Sequence, residues 1–356
     1  MAKKKIVYLF GAGATQAVIR QIDPEKSLMT KDIQGLIRSK YSKKGIDPAI
    51  WNELVTEGND VEHLISVLES HYNYSTSDKI RKYYWQALVR LIKDLSKSPP
   101  ENLYTVLYDL HKNVESLQEE LICFITLNYE DLLEQSLKKH LNFDIDYAIA
   151  TLSSGDKRNK ARVLKLHGSF NWINTRPIRI KSMTAIQHKE TLWIPPGVEK
   201  RKDNYPFNLL WGEALECLMK CDIVRLIGCS LSRNDWGLIP ILYTVQRFNE
   251  KDQNIQIEII DFVEAGRNIK INYRYLNVKQ ITEIDEIIAY YRRQLPNSSD
   301  EECNNEMIAQ FSDKDKMNPF QAWLDAKIDQ LVNENGSDSI NKAKYVYNFY
   351  NKESKL

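Results

Sequence analysis

The sequence predicts an α/β protein built on a mainly parallel sheet, and three observations carry that prediction. Short β-branched and aromatic runs of strand length recur at Ile6 to Phe10, Leu121 to Leu127, Val163 to His167, Ile223 to Gly228, Ile255 to Phe262 and Tyr273 to Val278. Between several of them lie stretches of helical periodicity, and strands alternating with helices imply a parallel sheet covered on both faces. The first run passes directly into Gly11-Ala12-Gly13 and a helix-compatible stretch, the strand-turn-helix opening of a Rossmann-like unit.

Composition bounds the rest. A chain of 356 residues is long enough for roughly two domains at about 150 residues each. Lys+Arg 49 against Asp+Glu 48 leaves a formal charge of +1, so direct nucleic-acid binding is not expected. Hydrophobic residues at 43%, a mean hydropathy of -0.47 and the lack of an 18-residue apolar run argue against a membrane span. Cys123, Cys217, Cys221, Cys229 and Cys303 lack the paired spacing of a disulfide framework or a four-cysteine zinc site, which places the chain in a reducing, cytoplasmic setting. Lys3, Lys4 and Lys5 before Ile6 to Phe10 mimic a signal peptide. The apolar run is too short for one and ends in a glycine turn, so it reads as a buried strand.

More than a hundred residues separate the first strand from the second at Leu121, which implies an insertion. Val61, Leu64, Ile65 and Leu68 repeat at helical spacing, as do Leu103, Val106, Leu107 and Leu110, and Tyr83 to Leu95 is amphipathic as well. Pro99-Pro100 breaks the pattern and leaves Glu101 and Asn102 to open the next helix. After Val278 the sequence reads as helical through Tyr291, and Leu295 to Glu302 as a polar linker. The tail offers an amphipathic helix through Phe320, Trp323, Leu324, Ile328 and Leu331, then Tyr345, Tyr347, Phe349 and Tyr350. The division is 1–27 and 118–292 for the core, 28–117 for the helical insertion, and 293–356 for linker and helical tail.

Four strand ends carry small or polar groups. Gly11-Ala12-Gly13-Ala14-Thr15 suits a phosphate beside a helix N-terminus, although Gln16 stands where a third fingerprint glycine would fall. Asn128, in Thr126-Leu127-Asn128-Tyr129-Glu130-Asp131, reads either as a pocket amide for a ribose hydroxyl and a water or as the N-cap of a helix from Glu130 to Leu141. His167 ends Val163-Leu164-Lys165-Leu166-His167-Gly168-Ser169, either as a general base or bonded to a backbone carbonyl. The others, His63, His71, His111, His140 and His188, read as core or solvated residues. Gly228-Cys229-Ser230-Leu231-Ser232, with Asp235 and an apolar helix from Trp236, forms a second strand-turn-helix. Asp261 ends the neighbouring strand where an acid could meet a ribose.

Taken in order, Gly11-Ala12-Gly13, Asn128 in its Thr-x-Asn-Tyr context, Lys165-Leu166-His167-Gly168-Ser169 and Gly228-Cys229-Ser230-Leu231 resemble the sirtuin superfamily. The resemblance is to the SIR2-type NAD-hydrolysing domains of bacterial antiphage defence systems, and it spans roughly Lys5 to Val278. It implies NAD+ as substrate, Asn128 and His167 as the catalytic pair, and Gly11, Ala12, Gly13, Thr15, Gly228 and Ser230 as NAD contacts. It also implies an abortive-infection effector acting as an oligomer or with a defence partner, an ATPase, a nuclease or a phage-sensing protein. An NAD-sensing module without turnover and an NAD-dependent protein deacylase are the alternatives. Two departures matter. The family's Asp two residues after the catalytic Asn is Glu130 here, with Asp131 next to it, so either carboxylate could support the site. The two Cys-x-x-Cys pairs of deacylating sirtuins are missing, Cys217 and Cys221 reading as core, so no metal is expected.

Overall fold

The computed structural model describes residues 2–280, apart from 24–27, 29, 42, 44, 57–58, 60, 94–101, 115–116, 142–143, 153–159, 196–202, 232–236 and 249–254, together with residues 319–335. Pro99-Pro100, Ser232 to Trp236, the helix expected through Tyr291, the linker from Leu295 and the aromatic segment from Tyr345 lie outside the described residues.

The strands in chain order are β1 (Lys4–Phe10), β2 (Glu119–Thr126), β3 (Asp144–Asp146), β4 (Lys160–Lys165), β5 (Gly168–Ile173), β6 (Arg179–Ile180), β7 (Thr191–Trp193), β8 (Ile223–Ile227), β9 (Gln256–Ile260) and β10 (Val278–Gln280). Seven of them form one sheet in the order β10-β9-β8-β1-β2-β4-β3 with every pairing parallel, the Rossmann-like architecture the sequence predicts. β1 is buried from Ile6 to Phe10 on both faces, which is why it reads as an unbroken apolar run. The expected strand Tyr273 to Val278 is corrected: Tyr273 caps a helix through its N–H to the Ile269 carbonyl, and pairing begins only at Val278. β6, β5 and β7 make a small antiparallel sheet that the sequence reading did not foresee.

The helices are α1 (Ala12–Ile22), α2 (Thr30–Lys40), α3 (Pro48–Val55), α4 (Val61–Ser70), α5 (Tyr74–Lys93), α6 (Leu103–Asn113), α7 (Leu132–Leu141), α8 (Phe207–Lys220), α9 (Leu238–Arg247), α10 (Val263–Asn272) and α11 (Pro319–Asn335). Helices α2 to α5 have a core of their own. Ile33, Leu54, Val61, Leu64, Ile65, Leu68, Trp85 and Leu88 pack there, and Phe170 of β5 plugs into it. Helix α6 falls within 28–117 by sequence but packs its Leu103-Val106-Leu107-Leu110 stripe into the core of the main sheet. Asn102 opens it with a capping box: its side chain accepts from the Tyr104 and Thr105 amides, and Thr105 Oγ1 accepts from the Asn102 amide.

Alternation along the strands divides the two faces. Tyr8 and Phe124 point toward α6 and α11, meeting His111, Tyr108 and Trp323, while their neighbours Val7 and Cys123 face the opposite side, where α8 lies. Phe320, Trp323, Leu324, Ile328 and Leu331 of α11 are buried in the main core. The tail aromatics Phe320 and Trp323 thus cover this chain's own sheet.

Candidate functional site

β1 lies between β8 and β2, so the chain leaves its neighbours in opposite directions at this point. In parallel sheets such a reversal opens a crevice at the carboxyl ends of the strands. The β1–α1 turn, the residues after β2, the end of β4 and the β8–α9 turn all meet there.

The two glycine turns touch each other. Gly13 N–H donates to the Gly228 carbonyl at 2.9 Å, and Gly228 N–H to Ile260 at 3.1 Å. A Cβ on Gly11 would stand 2.4 Å from the Gly228 carbonyl oxygen, one on Gly13 2.8 Å from the Gly228 Cα, and one on Gly228 2.1 Å from the Ala14 nitrogen. Gly228 also holds φ +56°, in the left-handed region. The missing side chains let the two backbones come into contact. Within the turn, Gly11, Gly13 and Ala14 N–H groups already bond backbone carbonyls. Ala12, exposed at the start of α1, presents an amide with no partner among the described residues.

Asn128 is half-buried and does not cap α7, which begins only at Leu132. Its Nδ2 donates twice, to the Gly11 carbonyl at 2.9 Å and to Thr15 Oγ1 at 2.8 Å. A flipped amide would turn Oδ1 onto the Gly11 oxygen, so the two bonds fix which end is which. No described residue donates to Oδ1. The Thr15 hydroxyl, 2% exposed as a residue, donates to Glu130 Oε1 at 2.6 Å and lies 3.2 Å from the Tyr104 hydroxyl, so it is held inside the protein.

His167 follows β4 and is 3% exposed, between the rings of Tyr129 and Trp211. Its Nδ1 lies 3.2 Å from the Leu127 carbonyl, which can only accept. The proton of the neutral ring therefore sits on Nδ1, and Nε2 carries the lone pair. Gly168 behind it holds φ +75°, and a Cβ there would stand 2.4 Å from the Leu192 carbonyl. Tyr129 stacks on Phe170 at 5.1 Å and meets Trp193 edge-on at 5.2 Å, tying this wall of the site to the core of the insertion.

The two candidate carboxylates separate cleanly. Glu130 turns inward to Thr15, while Asp131 accepts from Asn171 at 2.9 Å and Gln135 at 2.7 Å. Burial pushes Glu130 above the usual carboxylate range, opposed by the Lys165 charge and the Thr15 bond. Lys165 is fully buried, donates to the Glu130 carbonyl and pairs with Glu134 at 3.0 Å. Ser230 is exposed in the β8–α9 turn. Asp261 ends β9, where its Oδ1 accepts from Phe262 N–H at 2.8 Å and burial raises it to about 6.

No family model matches the chain, and no curated protein matches it. Solved structures similar to it include a Sir2 homologue in complex with NAD, at a TM-score of 0.41 and 14% identity over 83% of this chain and 90% of that one. A structure described for the mechanism and regulation of Sir2 enzymes aligns at 0.38 and 14% over 92% and 93%. A Sir2 homologue variant with ADP-ribose aligns at 0.39 and 15% over 84% and 96%.

Sequence reasoning passed over three contributors to the site. In the sequence Glu130 is level with Asp131, Lys165 is one member of a strand-end motif, and Tyr104 carries no mark of its own. Tyr104 and Lys165 are a ring and a cation that are usually at least partly exposed, and nothing local marks them as buried. Cys217 and Cys221 are buried on and after α8, with Cys123 beside Cys217. No group of three or more His, Cys, Asp or Glu is placed to hold a metal among the described residues, and none of the described helices is long and apolar enough to cross a membrane.

Proposed function

We propose that the chain hydrolyses the bond between nicotinamide and ribose in NAD+, releasing nicotinamide and ADP-ribose. The observation that carries this reading is the pairing of an Asn128 carbonyl locked outward with a His167 whose lone pair is on Nε2, at neighbouring strand ends beside a helix N-terminus. Nicotinamide leaves as a neutral base from a cationic ring and needs no proton, so one of the two usual glycosidase carboxylates is dispensable. Asn128 Oδ1 accepts from a ribose hydroxyl or from the attacking water and holds it in line. His167 Nε2 takes the proton that the hydroxyl or water gives up as the ribose C1 develops positive charge. Groups of this kind contribute about 10²- to 10⁴-fold. The open Ala12 amide and the dipole of α1 suit the pyrophosphate.

Gly228 and Ser230 bound the same crevice, and Asp261 lies one strand further on. Cytoplasmic action as an abortive-infection effector, gated by oligomerisation or by a defence partner, follows from the sequence resemblance and belongs to the same proposal. The deciding experiment incubates the purified chain with NAD+ and follows free nicotinamide, alongside Asn128→Ala and His167→Ala. Release by the parent and its loss in both variants supports the reading. NAD+ bound without release makes the chain a sensor instead.

A further inference from the structure

We infer that Glu130 is a positioning residue, acting through the Thr15 hydroxyl to hold Asn128 with its Oδ1 turned to the substrate. The inference rests on the proposed role of Asn128 and on the protons the cluster has to share. A threonine hydroxyl has one proton and two lone pairs. Glu130 Oε1, 2.6 Å from Thr15 Oγ1, takes the proton. Both lone pairs are then left to accept, one from Asn128 Nδ2 at 2.8 Å and one from the Tyr104 hydroxyl at 3.2 Å. A hydroxyl whose only proton points to Glu130 cannot donate to an amide oxygen, so Asn128 must approach with its nitrogen. The Gly11 carbonyl makes the same demand from the other side. Without an acceptor at position 130, the Thr15 proton is free to rotate toward Asn128, and a flipped amide gains a bond that it now lacks.

Glu130 is itself held. Lys165, with no exposed surface, comes down from β4 onto the Glu130 carbonyl and Glu134 Oε1, and its charge opposes the cost of burying the Glu130 carboxylate. A series of four residues from Lys165 through Glu130 and Thr15 to Asn128 therefore fixes one amide, and only the last of them faces the crevice.

The test is a double-mutant cycle on the full chain with Thr15→Val, Glu130→Met and both together. If Glu130 acts through Thr15, each single variant lowers kcat for NAD+ at least 10-fold with KM within about 2-fold, and the double variant is no slower than the worse single one. Glu130→Gln keeps an acceptor oxygen and stays within about 3-fold of the parent. Multiplying losses, or a loss expressed in KM alone, overturns the inference. So does Glu130→Gln as slow as Glu130→Met, because an acceptor would then not be what matters. If the parent releases no nicotinamide, the hydrolase reading fails by itself. The inference is then decided by the ¹⁵N side-chain amide resonance of Asn128, which must shift or split in both Glu130→Met and Thr15→Val. An unmoved resonance sinks it.

Discussion

The molecule buries two polar networks, and they differ in how they end. One is the strand-end series just described. The other crosses the face of the sheet under α6 and α11: Arg225 of β8 makes a two-pronged bond to Glu119 at 2.7 Å on each arm, donates through Nε to Glu258 at 2.8 Å and reaches the Tyr8 hydroxyl at 2.9 Å. His111 Nε2 closes on the same hydroxyl at 2.8 Å, Lys327 pairs with Glu119 at 3.3 Å, and Trp323 lies over the guanidinium at 5.3 Å. Two carboxylates meet two cations, and apart from the buried His111 Nδ1, which has no hydrogen-bond partner among the described residues, the donors and acceptors turn on one another. The strand-end network holds its members as firmly but leaves the Asn128 Oδ1 without a donor. A network buried under helices stabilises a fold; one that ends on a half-buried acceptor at a crevice can address a ligand.

The largest effect is expected where the strand-end network meets the crevice. Asn128→Ala is expected to cut NAD+ hydrolysis by at least about 10²-fold, read as nicotinamide release, with the melting temperature changing little because the residue is half-buried. His167→Ala should lose a similar factor but also soften the fold, since the ring is packed between Tyr129 and Trp211. A variant that kept the parent rate would remove the residue from the reaction.

The closed network should answer in the opposite currency. Arg225→Met strands two buried carboxylates and is expected to cost about 3–5 kcal/mol in denaturant unfolding, while NAD+ affinity of the folded fraction stays put. Loss of affinity at unchanged stability would mean that the two networks are coupled. Gly13→Ala sits between the cases, because its methyl group would press on the Gly228 Cα at 2.8 Å. A loss of about 1–3 kcal/mol is expected there, and calorimetric titration with NAD+ then tells the backbone contact from any direct role at the pyrophosphate.

The smallest effect is a matter of pH. Glu119 is lowered from the ordinary 4.5 to about 2: burial pushes it up, and the bonds and charge of Arg225 outweigh that and pull it down. A depressed acid stabilises the fold fully above its unfolded value, so this contribution is present above about pH 4.5 and fades as the pH falls toward 2. Glu119→Gln should flatten that part of an acid-unfolding curve. An unchanged curve would assign the acid limb to other carboxylates.

Much of the sheet was legible because buried parallel strands are written as plain apolar runs, as in Ile6 to Phe10 and Ile223 to Gly228. The error at Tyr273 shows the limit of that signal. Aromatics also close helices, and Tyr273 does so while its hydroxyl donates to the Leu231 carbonyl at 2.7 Å. The small sheet was missed although Phe170-Asn171-Trp172 alternates, since six residues give a weak period. At the site, Asn128, His167 and the glycines were legible as types at strand ends. What each glycine touches was not, because the Gly13–Gly228 contact joins residues far apart in sequence. The role of Glu130 over Asp131 depends on which side of one turn faces Thr15, and only the folded backbone decides that.

The position of α11 has a consequence for biosynthesis. β1 lies at the centre of the sheet, yet the helix that lays Trp323 over Tyr8 and Arg225 follows the last described strand by residues 281–318. At about 5–20 residues per second, the ribosome needs roughly 2–8 s to cross that interval. For those seconds the nascent chain has α6 on that face of its sheet but lacks α11, so Tyr8, Phe10 and Arg225 are without the aromatic partners that Phe320 and Trp323 supply. A chaperone that recognises exposed aromatic surface has its opportunity in that window, and α11 ends it by occupying the same ground.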